Sequence, residues 1–565
     1  MKPLDARVTL AAVTAAAFVT FAASQARADD VAAEIRLLKA RLKELGPLKA
    51  RLKHLETHVA QQYLERKHAQ SQARNGDDKS GHEDRTVAKS APLPFFVYLS
   101  HGLKIESLDH ANSFGIGGRL HLDGGGSSQP EQGRGSLANI RQARLEVEGK
   151  VLKYWDYKFQ YEFTASNTAT VGAVGGIRDA YIALRYFDPV TFQVGHFFEP
   201  MGLEGTNSKN YSDFIEKAMA TEAFAPGHHL GFAALAHGSS WSIKGGVFTT
   251  SLTEKSLSPS AATPVPFGIP PSAGWVSTGG SQYFDVTGRA TYAPIITDDS
   301  LLHLGVSGRY HRPNDSTAAS DKVLELGSNL KTESNILNEN LLGTPDLSCG
   351  AVSMAGNPPV AGKCVRNVLG YGVELAAAYG PLSLQSEYLG AHYNRNNAAI
   401  LAANAAGDYA PGGSSLNFGG FYVYGAWFLT DESRAASYQV TSLNPATFGQ
   451  IDIKNPLSAG GAGAWELGVR FSSINLNNGP VSGTSFSNLL AAAQGAALAS
   501  AIIGNSGVLG GSEENLTLGL NWYPDPGFRV MANWTRVMHL TAPWDRPYLN
   551  NAHPNTLLMR TQVDW

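Results

Sequence analysis

The chain has 565 residues, 60 of them glycine, with aromatic residues at 10% and charged residues at only 16%, against about 25% charged in an ordinary soluble domain. The formal net charge of −3 gives no footprint for nucleic acid. Past the N-terminal segment no run of about 18 apolar residues occurs, so a membrane role requires a closed barrel, the other fold that satisfies every backbone group in lipid.

Residues 1–28 read as a signal peptide. Lys2 and Arg7 form a positive start, Val8 to Ala23 is uncharged and Ala-rich, and Ala26-Arg27-Ala28 gives the small-x-small cleavage pattern. A transmembrane anchor is the competing reading; the apolar stretch is short for one, and a cleavage site follows it at once. Residues 29–70 then repeat every seven positions, with Leu38, Leu45, Leu52 and Val59 on one seam and Ile35 and Leu42 on its companion. That spacing predicts a periplasmic coiled coil, interrupted at Gly46-Pro47, where proline removes a helix hydrogen bond. A single surface-lying amphipathic helix is the alternative. Its basic side chains, Lys39, Arg41, Lys43, Lys49, Arg51 and Lys53, would also suit an anionic envelope polymer such as peptidoglycan. Residues 71–94 are polar and read as a linker.

From Phe95 to Trp565 the period changes to two. Phe159-Gln160-Tyr161-Glu162-Phe163, Leu302-His303-Leu304-Gly305-Val306 and Trp465-Glu466-Leu467-Gly468-Val469-Arg470-Phe471 alternate apolar with polar or small residues. Alternation of this kind makes strands with one apolar and one polar face. Turn signals such as Asp188-Pro189, Gly380-Pro381 and Pro524-Asp525-Pro526-Gly527 separate the runs. Aromatic residues collect at run ends (Tyr154, Trp155, Tyr186, Phe187, Trp522, Tyr523), and the last run ends on Trp565. Together these predict an all-β transmembrane barrel in the outer membrane, in contact with its lipid.

Six or more blocks, in order over roughly residues 115–565, resemble the phosphate-selective porin family (the O and P porins). They include Ile140-Arg141-Gln142-Ala143-Arg144-Leu145, Ile177-Arg178-Asp179-Ala180-Tyr181-Ile182, and Val194-Gly195-His196-Phe197-Phe198-Glu199-Pro200-Met201-Gly202-Leu203-Glu204. Phe224-Ala225-Pro226-Gly227-His228-His229, Tyr283-Phe284-Asp285-Val286-Thr287-Gly288-Arg289 and Trp427-Phe428-Leu429-Thr430-Asp431-Glu432 continue the series. The resemblance implies sixteen antiparallel strands, a homotrimer, and an extracellular loop, here Glu204 to Gly231, folded into the pore. It implies no catalysis and no cofactor, and a water-filled path for small, phosphate-like anions.

Strand parity turns Arg119, Arg144, Arg185, Arg289, Arg309, Arg470 and Arg560 inward, together with Glu146, Glu148, Glu162, Glu374, Glu387 and Glu466. The loop adds Lys209, Lys217, His228 and His229. Arginine favours anions and grips phosphate with a planar fork. Histidine is mostly uncharged at neutral pH, so this filter is less positive than an all-arginine one. Arginine–glutamate ladders that brace the wall and cancel are the competing reading. So is a general or weakly cation-selective channel whose basic coil tethers the outer membrane to the cell wall. An outer-membrane hydrolase would need a nucleophile, a base and an orienting group, and no such motif stands out. Adjacent His228 and His229 point apart along a strand and do not suggest one metal site. Cys349 and Cys364, an even pair in an exported chain, read as a disulfide that staples a loop.

Overall fold

The structure is a computed structural model that describes residues 95–99, 102–129, 133–164, 176–249, 251, 284–313, 330, 333–336, 340–345, 347, 364–400, 412–443, 445–479, 507–543 and 546–565. The signal peptide, the coiled coil, the linker and Cys349 lie outside the described residues.

A hairpin of β1 (Phe95–Leu99) and β2 (Leu103–Ser107) leads into β3 (Ser113–Gln129). Then follow β4 (Gly133–Val151), β5 (Trp155–Glu162), β6 (Gly176–Phe187), β7 (Val190–Phe198), β8 (His228–His237) and β9 (Trp241–Phe248). Next come β10 (Phe284–Ile296), β11 (Ser300–Arg312), β12 (Val365–Tyr379), β13 (Leu382–Arg395) and β14 (Ser415–Phe428). A small inward ribbon, β15 (Tyr438–Val440) with β16 (Pro445–Phe448), precedes β17 (Ala464–Asn478), β18 (Val508–Tyr523), β19 (Phe528–Thr541) and β20 (Asn555–Asp564).

Each wall strand pairs antiparallel with the one before it, β17 pairing with β14 across the inward ribbon. β20 returns to β3, from Thr556 opposite Ser127 to Asp564 opposite Arg119, which closes a sixteen-stranded barrel as expected. At the seam Gly118 and Trp565 exchange backbone hydrogen bonds of 2.9 and 3.1 Å. A Cβ on Gly118 would lie 2.7 Å from the Trp565 ring, so glycine is required there. Below the seam β2 takes over the free edge of β3, pairing Leu103–Glu106 with Ser113–Ile116.

Period-two patterning sets the wall. On β17, Glu466 and Arg470 are fully buried while Leu467 and Val469 are 41% and 50% exposed on the outer surface. The polar residues therefore face inward and the apolar ones face lipid. Exposed Trp155, Tyr186, Phe187, Tyr379, Trp427 and Phe528 ring the short-turn end, as the interfacial belt requires.

Among the described residues, three stretches enter the lumen; one, in the β11–β12 connection, sets Glu333 against Arg470 and Ile336 against Ile215. The connection between β7 and β8, residues 199–227, crosses it as short helices (Leu203–Thr206 and Met219–Phe224) and irregular chain. From the opposite, short-turn end, residues 429–463 carry the β15–β16 ribbon inward. Tyr438, Ala446 and Phe448 pack there with Leu203, Leu301 and Ala376 in one buried cluster.

Candidate functional site: the constricted lumen

Gly202 starts the crossing loop at φ +72°, a left-handed conformation that glycine adopts without strain. The turn aims the backbone N–H groups of Leu203 and Glu204 at Glu387 of β13, at 2.9 and 2.6 Å. From there the loop is held to one wall. Phe214 packs on Tyr424 of β14, and Arg470 of β17 donates to the Glu216 carbonyl at 3.0 Å. Asn521 of β18 donates to the Asp213 carbonyl at 2.9 Å, and Arg560 of β20 to the Ile215 carbonyl at 2.8 Å. Three buried wall side chains thus satisfy loop carbonyls that would otherwise be orphaned in the lumen.

Glu216 joins this wall to the other. Its carboxylate accepts from Arg141 of β4 at 2.9 and 3.2 Å, from Lys209 at 3.0 Å and from Arg560 at 3.2 Å. Burial alone would raise its pKa, but Arg141, Lys209 and Arg560 outweigh burial and hold it well below the usual carboxylate range. Glu204, on the same loop, is pushed up by burial despite Arg470 nearby. The ribbon braces the loop from below, with Arg434 at 3.1 Å from Asp213 and the Phe448 amide donating to the Asn207 side chain at 2.9 Å.

The anticipated basic residues therefore divide. Arg289, Arg309, Arg470 and Arg560 are all at least nine-tenths buried and paired. Arg289 meets Glu374 at 2.8 Å and the Pro445 and Ala446 carbonyls of the ribbon. Arg309 meets Asp285 at 2.7 Å and Glu199 at 3.4 Å. Arg470 meets Glu333 at 2.8 Å, and Arg560 grips Asp123 with two bonds of 2.7 and 2.8 Å. Lys217 is buried, donates to the Gly205 carbonyl at 3.1 Å and lies over the Phe198 ring; burial lowers its pKa. His228 and His229 are buried too, and they take different partners: Asp179 at 3.5 Å and Glu199 at 2.7 Å. Glu199, His229 and Asp285 offer ligand atoms within 4.8 Å of one another. Arg309 already sits against both of those carboxylates and supplies the positive charge.

Arg119, Arg144, Arg185 and Lys209 remain partly exposed. Arg185 pairs with Asp156 beside the short turns, away from the loop. Arg119 reaches Ser208 of the loop at 3.4 Å and Glu146 at 3.9 Å, and Arg144 bonds Glu162 at 2.6 Å and Gln160 at 3.0 Å. These side chains share the β3–β6 wall with Lys158, whose partners are Glu146 and Glu148 at 3.4 and 3.2 Å.

Two arginines of this wall escape strand parity. Gln142 stands opposite His121 and Ile140 opposite Leu122, so Arg141 is the extra residue of a β-bulge. Phe159 pairs with Ala180 and Tyr161 with Ile177, which leaves Arg178 and Asp179 opposite the single residue Gln160. A bulge re-aims a side chain that simple alternation would send outward. Arg178 forms no ion pair among the described residues, and its Nε has no hydrogen-bond partner there.

The family model described as phosphate-selective porin O and P matches residues 114–565. Porin O of Pseudomonas aeruginosa is 24% identical over 77% of this chain and 85% of its own length. An uncharacterised protein of Caulobacter vibrioides is 25% identical over 70% of this chain and 68% of its own. Among solved structures, an anion-selective porin from Comamonas acidovorans is 8% identical with a TM-score of 0.41, covering 80% of this chain and all of that one. The channel DcaP of Acinetobacter baumannii is 8% identical with a TM-score of 0.41, over 81% of this chain and 99% of that one. Such distant likenesses support no statement about a solute. With the family model spanning the whole closed barrel, the chain belongs to the phosphate-selective porin O and P family and is a channel of the outer membrane.

Proposed function

We propose that this channel passes small anions, phosphate-like oxyanions among them, with a modest preference over cations. One observation carries the reading. The loop is fastened to β13–β20 by buried, paired residues, and the side chains left partly open to water on β3–β6 include Arg119, Arg141, Arg144, Lys158 and Arg178. Glu146 and Glu148 share that wall and pair with its lysines, so the excess of positive charge is small and rests chiefly on Arg178. Ion-paired cations retain little field for a passing solute, and that keeps the preference modest.

A weakly cation-selective pore is the second reading, favoured by Glu222, whose side chain is 46% exposed on the loop. The reversal potential of the purified protein in a planar bilayer across a KCl gradient separates the two. A chloride-directed potential with phosphate block supports the anion channel; a cation-directed potential without block overturns it.

The same reading includes a homotrimer, supported by the heptad pattern of residues 29–70, and a peptidoglycan contact through that segment's basic side chains. It also includes signal cleavage after Ala28 and a Cys349–Cys364 staple, supported by the signal pattern and by burial of Cys364.

A further inference from the structure

Where the crossing loop leaves and rejoins the wall, three potential metal ligands meet. Glu199 opens the loop, His229 lies on β8 just past its end, and Asp285 lies on β10. One ligand atom from each lies within 4.8 Å of the other two. Asp285 and Thr287 stand opposite His311 and Arg309 of β11, and all six side chains are at least nine-tenths buried.

The two oxygens of each carboxylate have different surroundings. Oε2 of Glu199 accepts from the Thr287 hydroxyl and faces Arg309 Nε at 3.4 Å, and Oδ2 of Asp285 accepts from Arg309 Nη2 at 2.7 Å. His311 Nδ1 lies 2.6 Å from Oδ1 of Asp285 and orients that carboxylate, as groups behind a metal ligand do. Oε1 of Glu199 has no hydrogen-bond partner among the described residues, although His229 Nδ1 is only 2.7 Å away. Two atoms this close but not aligned for a hydrogen bond are placed as two donors of lone pairs to one ion. Arg309 brings one positive charge to two buried carboxylates, so within the cluster one negative charge is left to be balanced. A proton on His229 would balance it through a hydrogen bond to Oε1, and that bond is not formed. One imidazole with two carboxylates suits zinc and similar divalent ions, whereas magnesium and calcium favour all-oxygen sets.

We infer that Glu199, His229 and Asp285 form a binding site for a divalent transition-metal ion of the zinc type, which clamps both ends of the crossing loop to β10. His228 takes no part, since it faces Asp179 at 3.5 Å. The site is independent of which solutes the pore passes.

Calorimetric titration of the untagged full-length protein in detergent with zinc chloride, after treatment with a chelator, tests it in wild type, His229→Gln, Asp285→Asn and His110→Gln. His110 is exposed beside Glu106 at 3.0 Å and controls for binding at surface histidines. Zinc affinity is expected to weaken by roughly tenfold or more in His229→Gln and Asp285→Asn, to stay unchanged in His110→Gln, and to resist an equal concentration of magnesium. Identical zinc titrations of wild type, His229→Gln and Asp285→Asn would overturn the proposal, as would no binding in wild type, loss of binding in His110→Gln, or displacement by magnesium. Should His229→Gln and Asp285→Asn not fold, wild-type crystals soaked in zinc decide. Anomalous density between Glu199, His229 and Asp285 supports the site; density elsewhere alone, or none, rejects it. The KCl reversal potential reports pore selectivity separately, so failure of the metal site is distinguishable from failure of the anion-channel reading.

Discussion

Glu216 is a single carboxylate holding three cations from three parts of the molecule, Arg141, Lys209 and Arg560. Removing one partner of a buried ion pair costs roughly 3–5 kcal/mol, because the remaining charge is left uncompensated. Glu216→Gln is therefore expected to lower the barrel's thermal stability and to raise single-channel conductance as the loop loosens, both readable on the purified protein. The pH dependence follows from the depressed pKa of Glu216. A carboxylate whose folded value lies below its unfolded value stabilises fully above the unfolded value and loses that contribution as pH falls through the folded one. The conductance difference between wild type and Glu216→Gln should stay level from pH 8 to pH 5 and shrink only in stronger acid, while Glu204, pushed up by burial, titrates in both proteins. A difference that collapses near neutrality would contradict the assignment.

At the scale of elements, the crossing loop depends on one backbone turn and one brace. A side chain at Gly202 would place its Cβ 2.6 Å from Glu387 Oε2, in a conformation that branched residues avoid. Gly202→Val should displace the loop from β13 and widen the pore, seen as a larger solute exclusion limit in liposome swelling. Arg434→Gln should act in the same direction but less, since the ribbon keeps its contact from Phe448 to Asn207. The sequence made the strands legible because burial on one face only enforces period two, and Glu466, Leu467, Val469 and Arg470 fall where alternation puts them. The selectivity wall was only partly legible. Arg141 and Arg178 sit on bulges, where two residues oppose one and parity no longer fixes the face. Parity also could not separate partly exposed Arg144 from buried Arg470, because that difference is made by which wall the loop covers. The inward course of residues 429–463 carried no periodic signal at all; it is fixed by contacts between segments far apart in sequence, such as His303 with Tyr438 at 2.7 Å.

The described residues from Ser113 to Trp565 form a closed wall that inward segments enter, and the closure depends on the seam between β3 and β20. Gly118→Leu should prevent Trp565 from seating and leave a barrel that stays unfolded or heat-labile in gel-shift assays. Deletion of residues 29–70 should leave conductance per pore unchanged while lowering the melting temperature of the proposed trimer. The central claim concerns the division of labour around the lumen: charge on β3–β6 selects the ion, and buried arginines on the far wall hold the loop. Reversal potentials of Arg144→Gln/Arg178→Gln and of Arg470→Gln in a KCl gradient test it most directly. The account predicts that the first loses the chloride-directed potential at unchanged conductance, while the second changes conductance and stability far more than the sign of the potential. A double variant that keeps the wild-type potential, with Arg470→Gln abolishing it at unchanged conductance, would contradict the account.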